Sequence, residues 1–125
     1  MPESVAGIIK KNNLYLLGKR KPGGSIGGKW EFPGGKVKKG ESFEESLKRE
    51  FKEELNVHIH VNNFIGKINF KSIDHSFILY AYYIEILDED ITTNEHDEFK
   101  WFTLDEIRNL KNDLAESDQL LLDII

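Results

Sequence analysis

Residues 35–57 read GKVKKGESFEESLKREFKEELNV, and the phase of their charges decides how the rest of the chain is understood. Ser42-Phe43-Glu44-Glu45 has the spacing of a capping box, in which the Ser42 hydroxyl and the Glu45 carboxylate each satisfy an exposed amide at a helix start. The pattern predicts a helix from Phe43 to about Leu55. Asn56 suits the left-handed conformation that ends such a helix, and Val57 returns to β-type residues. With Phe43 at the origin of a helical wheel, Leu47, Phe51 and Leu55 fall at about 40°, 80° and 120° and define the buried arc. Glu44, Glu45, Lys48 and Lys52 occupy the solvated side, where Glu44 to Lys48 and Glu45 to Arg49 have the favourable i, i+4 order. Glu54 lands at about 20°, inside the apolar arc, with Glu50 at about −20° and Glu53 at about −80°.

Three carboxylates therefore lie on or beside the face that packs inward. Glu50 and Glu54 are a like-charge i, i+4 pair, unfavourable even in water, and desolvating ionised carboxylates without a partner costs far more. Something cationic must compensate them. Arg49 can serve Glu53 or reach another acid, but one guanidinium cannot neutralise three. A hard divalent ion with oxygen ligands can, and Mg²⁺ binds through a few carboxylates while keeping waters and substrate phosphates.

Outward from this helix, 125 residues with 39% hydrophobic and 11% aromatic composition predict one folded domain over residues 1–125. The absence of cysteine excludes disulfides and thiolate sites and suits a reducing compartment, so a cytoplasmic location is expected. Met1 to Ser4 lack a signal-peptide start. The longest apolar run, Phe77 to Ile84, is far short of the roughly 20 residues that cross a bilayer. The net charge of −5 hides an asymmetry: residues 1–40 carry +7 and residues 41–125 carry −12. Such a split suits an anionic ligand that arrives with a divalent cation. A nucleic-acid polymer fits less well, because the acidic remainder opposes the counterion release that drives its binding.

Ser4 to Lys10 and Leu14 to Arg20 read as strands around a turn at Lys11-Asn12-Asn13. Eight of the ten glycines then fall between Gly18 and Gly40, a loop-rich stretch interrupted by Trp30-Glu31-Phe32. Val57 to Val61, Phe64 to Phe70 and Ser76 to Leu87 are expected strands, followed by a polar loop from Asp88 to Asp97 and a short strand from Phe99 to Phe102. A second capping box, Thr103 to Glu106, opens a helix to about Leu110, and an apolar helical stripe from Leu120 to Ile125 closes the chain.

From Gly35 to Val57 the chain also carries Gly, five residues, Glu41, seven residues, Arg49-Glu50-Phe51, one residue, Glu53-Glu54, then Leu55-Asn56-Val57. This resembles the Nudix box, the 23-residue signature of hydrolases that cleave nucleoside diphosphates linked to another moiety. Asn56 stands where the family usually has glycine, a change that touches helix termination rather than chemistry. The likeness extends over most of the chain and looks nearest to the MutT-like branch. It implies an α/β fold, an α/β/α sandwich around a mixed β-sheet.

The resemblance also implies roles. Glu50 is the expected base and a metal ligand, Glu53 and Glu54 are ligands, and the Gly34 carbonyl and Glu95 complete the set, with Asp97 and Glu98 as competitors of Glu95. Glu41 and Arg49 support these groups. Arg20 and Phe32 are expected to contact substrate and Asp118 to read the base edge. His58 and His60 alternate along a strand and are expected at ordinary exposed positions. Mg²⁺ is the implied cofactor, with Mn²⁺ as a substitute. Position 72 is Ser and positions 73–75 are Ile, Asp and His, so the proline and tyrosine that mark ADP-ribose and dinucleoside-polyphosphate subgroups are missing. The reaction left is hydrolysis of a nucleoside triphosphate to the monophosphate and pyrophosphate, on an oxidised purine such as 8-oxo-dGTP or on a pyrimidine such as CTP. A non-catalytic nucleotide-sensing Nudix domain would be expected to have lost a metal carboxylate, and all three are present. The partner is a small-molecule nucleotide, with no nucleic-acid polymer and no membrane; oligomeric state is not legible.

Overall fold

The computed structural model describes residues 2–24, 27–93 and 95–125. Its strands are β1 (Glu3–Ile8), β2 (Lys10–Lys11), β3 (Leu14–Arg20), β4 (Trp30–Glu31), β5 (Gly34–Lys36), β6 (Ile59–Lys71), β7 (Ser76–Ile86) and β8 (His96–Phe102). The helices are α1 (Phe43–Leu55), α2 (Leu104–Leu110), a 3₁₀ turn at Lys111–Asp113, and α3 (Glu116–Leu121). One mixed sheet has the order β5-β1-β7-β6, with β1 parallel to β7 and the other pairs antiparallel. In the second sheet β3 pairs with β2, β4 and β8, all antiparallel.

Successive residues of β1 point to opposite faces, and two cores form accordingly. Val5 joins Ile9, Leu16, Leu47, Phe51, Leu55, Val57 and Ile84 under α1, while Ala6 and Ile8 join Leu17, Trp30, Phe32, Leu79, Ala81, Ile107, Leu114 and Leu121 on the other side. The mixed sheet thus has α1 on one face and the C-terminal helices towards the other, the expected α/β/α arrangement. Leu47, Phe51 and Leu55 are fully buried, each contributing about 1.5–3 kcal/mol, and they hold α1 in the phase read from the sequence. No helix among the described residues is long and apolar enough to cross a membrane.

Four elements differ from expectation. The Asn12-Asn13 turn is present, both residues having positive φ as a two-residue hairpin demands, but its strands are β2 and β3. β1 breaks away at Ile9 and enters the other sheet, where it finds β7 and β5. The two strands expected around Asn62-Asn63 are one strand, β6, whose pairing with β7 shifts register between Val61 and Gly66, so the asparagines sit in a bulge rather than a turn. β8 begins at His96, three residues before Phe99, because it pairs with β3 up to Arg20. The last helix spans Glu116–Leu121 rather than starting at Leu120. It is anchored earlier in the chain: Ala115 N–H donates to the Trp30 carbonyl at 2.9 Å, and the Gln119 amide donates to the Leu114 and Lys111 carbonyls.

Residues 30–36 join the two halves of the molecule. They leave the second sheet as β4, turn through Phe32-Pro33, and enter the mixed sheet as β5, with the Gly7 N–H donating to the Pro33 carbonyl at 2.9 Å. The segment stitches the sheets together and lies against α1.

Candidate active site

Helix α1 supplies the acids, and both its ends are built as expected. Ser42 and Glu45 form the capping box, and Asn56 adopts φ 56°, ψ 42°, with its N–H donating to the Lys52 carbonyl. The phase places Glu54 and Glu50 partly inside, their side chains 12% and 14% exposed, and leaves Glu53 at 52%. Glu50 fits because position 35 has no side chain: a Cβ on Gly35 would run into the Glu50 carboxylate.

Arg49 organises one side of this group. Its Nε and Nη2 grip the two oxygens of Glu41 at 2.6 and 2.9 Å, Nη1 reaches Glu50 Oε1 at 2.8 Å and Glu53 Oε2 at 3.3 Å, and Nη2 also donates to the Lys36 carbonyl at 2.9 Å. A fork of donors matched to a planar carboxylate is the strongest geometry open to such a pair. The Arg49 guanidinium, helped by the Lys38 N–H, holds the Glu41 carboxyl at about 2, and Glu41 in turn raises the pKa of Arg49. Arg49 is thereby committed, with Glu41 its strongest partner.

The other side is a second cluster. Arg20, the last residue of β3, places Nη1 3.2 Å from Glu31 Oε2 and 3.3 Å from Glu54 Oε1. His96 lies beneath with its side chain wholly buried, Nε2 2.8 Å from the same Glu31 oxygen and Nδ1 3.5 Å from Thr93 Oγ1. Burial above all, then a hydrogen bond with Glu50 and the negative charges of Glu31 and Glu50, push the Glu54 carboxyl up to about 9, against the pull of Arg20. Arg20 is close enough to pair with Glu54, yet desolvation and repulsion between acids win. One ligand atom each from Glu31, Glu54 and His96 lie within 4.8 Å of one another, a donor set of two carboxylate oxygens and an imidazole nitrogen able to hold a divalent cation.

Gly34, expected to offer its carbonyl, lies in β5 with its Cα facing the Val5 carbonyl so closely that a Cβ would strike it. Phe32 is 3% exposed and packs in the core, and its N–H donates to Asp118 Oδ2 at 2.9 Å. Asp118 sits in the first turn of α3 and is itself buried, and burial, with the charge of Glu31, holds its carboxyl well above the usual range. Glu95 is exposed and stands outside the Glu31, Glu54 and His96 group; its N–H donates to Thr93 Oγ1 and its carbonyl accepts from the Lys21 N–H. Asp97 and Glu98 are exposed on β8. His58 and His60 are exposed, as expected, His58 beside Asp88.

Two residues of the site escaped the sequence reading, Glu31 and His96. Glu31 had a faint signal: it follows Trp30 in a short strand, and alternation turns it away from the core that takes Trp30. His96 had none, since its partner is 65 positions away.

This geometry, a helix presenting three acids with a glycine-cleared approach and a captive arginine, is what the 23-residue signature encodes. The sequence pattern of the NUDIX domain matches residues 1–123. The chain belongs to the Nudix family. A CTP pyrophosphohydrolase of Escherichia coli K12 is 31% identical over 98% of this chain and 90% of its own length. An 8-oxo-dGTP diphosphatase of Buchnera aphidicola is 38% identical over 81% of this chain and 75% of its own. Among solved structures, the MutT protein of Methanosarcina mazei superposes with a TM-score of 0.84 at 26% identity, covering 98% of this chain and 90% of that one. The E. coli ORF135 protein does so with 0.81 at 30%, covering 99% and 87%. Nudix enzymes are pyrophosphohydrolases that use divalent metal ions, and this chain is a pyrophosphohydrolase of that family.

Proposed function

We propose that the protein hydrolyses a nucleoside triphosphate to the monophosphate and pyrophosphate with Mg²⁺, or Mn²⁺ in its place, at Glu50, Glu53, Glu54 and the Gly34 carbonyl. The observation that carries this reading is the surplus of part-buried carboxylate. Glu31, Glu50 and Glu54 lie together with two guanidinium groups, and Arg49 is already committed to Glu41. Hard oxygen donors in excess of local positive charge fit a hard divalent cation. When bound, that cation neutralises phosphate charge and makes an attached water acidic.

The chain's own residues do the rest. Arg49 fixes Glu50 through Oε1, and Glu50 is the base that receives the proton of the attacking water. Glu95, at the edge of β8, completes the metal site, with Asp97 and Glu98 the nearest substitutes. Arg20 binds the phosphates. Asp118 reads the base: a carboxyl held in its protonated form donates to a carbonyl or ring nitrogen, whereas the ionised form only accepts. The substrate class is an oxidised purine triphosphate such as 8-oxo-dGTP, which would make the protein a sanitiser of the nucleotide pool in the cytoplasm. CTP is the second reading, favoured by the relative that spans 98% of the chain. A panel of ordinary and oxidised triphosphates with Mg²⁺, scored for pyrophosphate against orthophosphate, tests both. Pyrophosphate from 8-oxo-dGTP in preference to dGTP supports the first and pyrophosphate from CTP the second; orthophosphate alone overturns the reaction.

A further inference from the structure

The Arg20 guanidinium occupies the place of a cation. Its Nη1 bridges Glu31 Oε2 and Glu54 Oε1, at 3.2 and 3.3 Å, and the first of these acids is also fastened by a buried His96. The two tethers are unequal. Glu31 is held from both sides, by His96 Nε2 and by Arg20, whereas Glu54 is the ligand that a divalent ion would claim. Among the described residues, the Nε and Nη2 of Arg20 have no hydrogen-bond partner, and its side chain is 29% exposed, so the guanidinium is free to turn about its Glu31 contact.

We propose that Arg20 is an internal competitor of the metal: it occupies Glu54 Oε1 in the nucleotide-free protein and is handed to the substrate phosphates, still tethered to Glu31, when the divalent ion takes its place. This rests on the reading of Glu54 as a metal ligand. The reasoning is one of charge. Glu54 Oε1 cannot keep Arg20 at hydrogen-bond distance and also hold a divalent cation without placing two positive centres side by side, so either occupant weakens the other. A triphosphate relieves that repulsion by giving the guanidinium anionic oxygens of its own. Metal and nucleotide therefore bind cooperatively through one residue, the metal poorly before the nucleotide and well with it. Glu31 and His96 are positioning residues in this scheme, since they keep the displaced guanidinium over the pocket.

The test is Mn²⁺ binding to nucleotide-free protein, read from the electron paramagnetic resonance of free Mn²⁺, for the wild type and for Arg20→Gln, Arg20→Lys and Glu54→Gln. Arg20→Gln should bind Mn²⁺ roughly tenfold tighter than the wild type, a typical coupling between two sites. Arg20→Lys, which keeps the charge, should stay close to the wild type. The same Arg20→Gln protein should show a raised KM for the triphosphate it hydrolyses. Opposite movement of the two affinities is something a loosened fold would not produce. Unchanged or weaker Mn²⁺ binding in Arg20→Gln overturns the proposal; equal binding by Glu54→Gln and the wild type overturns the metal site beneath it. In the unmutated protein labelled with ¹⁵N-arginine, Mg²⁺ alone should shift the Arg20 guanidinium resonances. Their constancy at saturating Mg²⁺ would mean that the guanidinium never leaves Glu54, and the proposal falls.

Discussion

Two arginines approach the acids of α1 from opposite sides, and they are held in opposite ways. Arg49 is saturated, with bonds to Glu41, Glu50, Glu53 and the Lys36 carbonyl, all drawn from residues 36–53 of the same signature. Arg20 uses one nitrogen for two acids from distant parts of the chain and keeps the remainder of its fork unengaged among the described residues. A guanidinium with every donor satisfied is a fastening. One with donors to spare can change partners at little cost, so the two charges differ in what they can do: the first holds Glu50 in place, and the second is free to take a ligand.

The largest effect should come from Glu54, the acid of the Arg20 cluster that also lies against Glu50. Glu54→Gln should lower kcat by at least about a hundredfold while leaving the melting temperature unchanged or raised, because the amide keeps the shape of the side chain and takes one acid out of a part-buried group of acids. Calorimetry beside a turnover assay checks it, and a cooperative loss of fold would break the account of Glu54 as an acid strained for function.

Next is stability, where the arginines should separate. Arg49→Ala should cost about 2 kcal/mol in urea unfolding, since it orphans a network of charge-assisted bonds. Arg20→Ala, at a part-exposed site with two long contacts, should cost under about 1 kcal/mol. Equal costs would erase the distinction between fastening and exchangeable charge.

Asp118→Asn comes third. It should change the ratio of kcat/KM between purine and pyrimidine triphosphates by about tenfold while the Phe32 N–H keeps an acceptor. It also has a signed pH effect. The raised pKa of Asp118 means that the folded state keeps a proton the unfolded chain gives up, so its contribution is full below about pH 4 and is lost as pH rises towards the folded value. Urea titrations should therefore show the Asn variant gaining on the wild type as pH increases from 4 to 7.

Smallest is Glu41→Gln, with the opposite sign. Glu41 is ionised in the folded protein down to about 2 against an ordinary 4.5, so its stabilisation is present above pH 4.5 and disappears as pH falls through that window. The wild type should lose more stability than Glu41→Gln between pH 5 and 2, and parallel acid profiles would show that Arg49 does not depend on Glu41.

Much of α1 is determined by sequence alone: its capping box, its left-handed end at Asn56, the inward phase of Glu50 and Glu54, and the reach of Arg49 to Glu53 one turn on. All of these involve residues within one or two helical turns or within one rigid loop and helix, so periodicity and hydrogen-bond spacing suffice to read them. Only the tertiary structure decided that β1 and β3 lie in different sheets, that Asn62-Asn63 is a bulge, that the last helix starts at Glu116, and that Phe32 is buried in the core. It also decided the second half of the site. Arg20, Glu31, Glu54 and His96 come from β3, β4, α1 and β8, up to 76 positions apart, and they meet because β3 pairs with both β4 and β8 while residues 30–36 cross from one sheet to the other. Strand pairing is chosen by the burial of whole faces, a sum over many distant contacts, and that sum is not written in the spacing of any few residues.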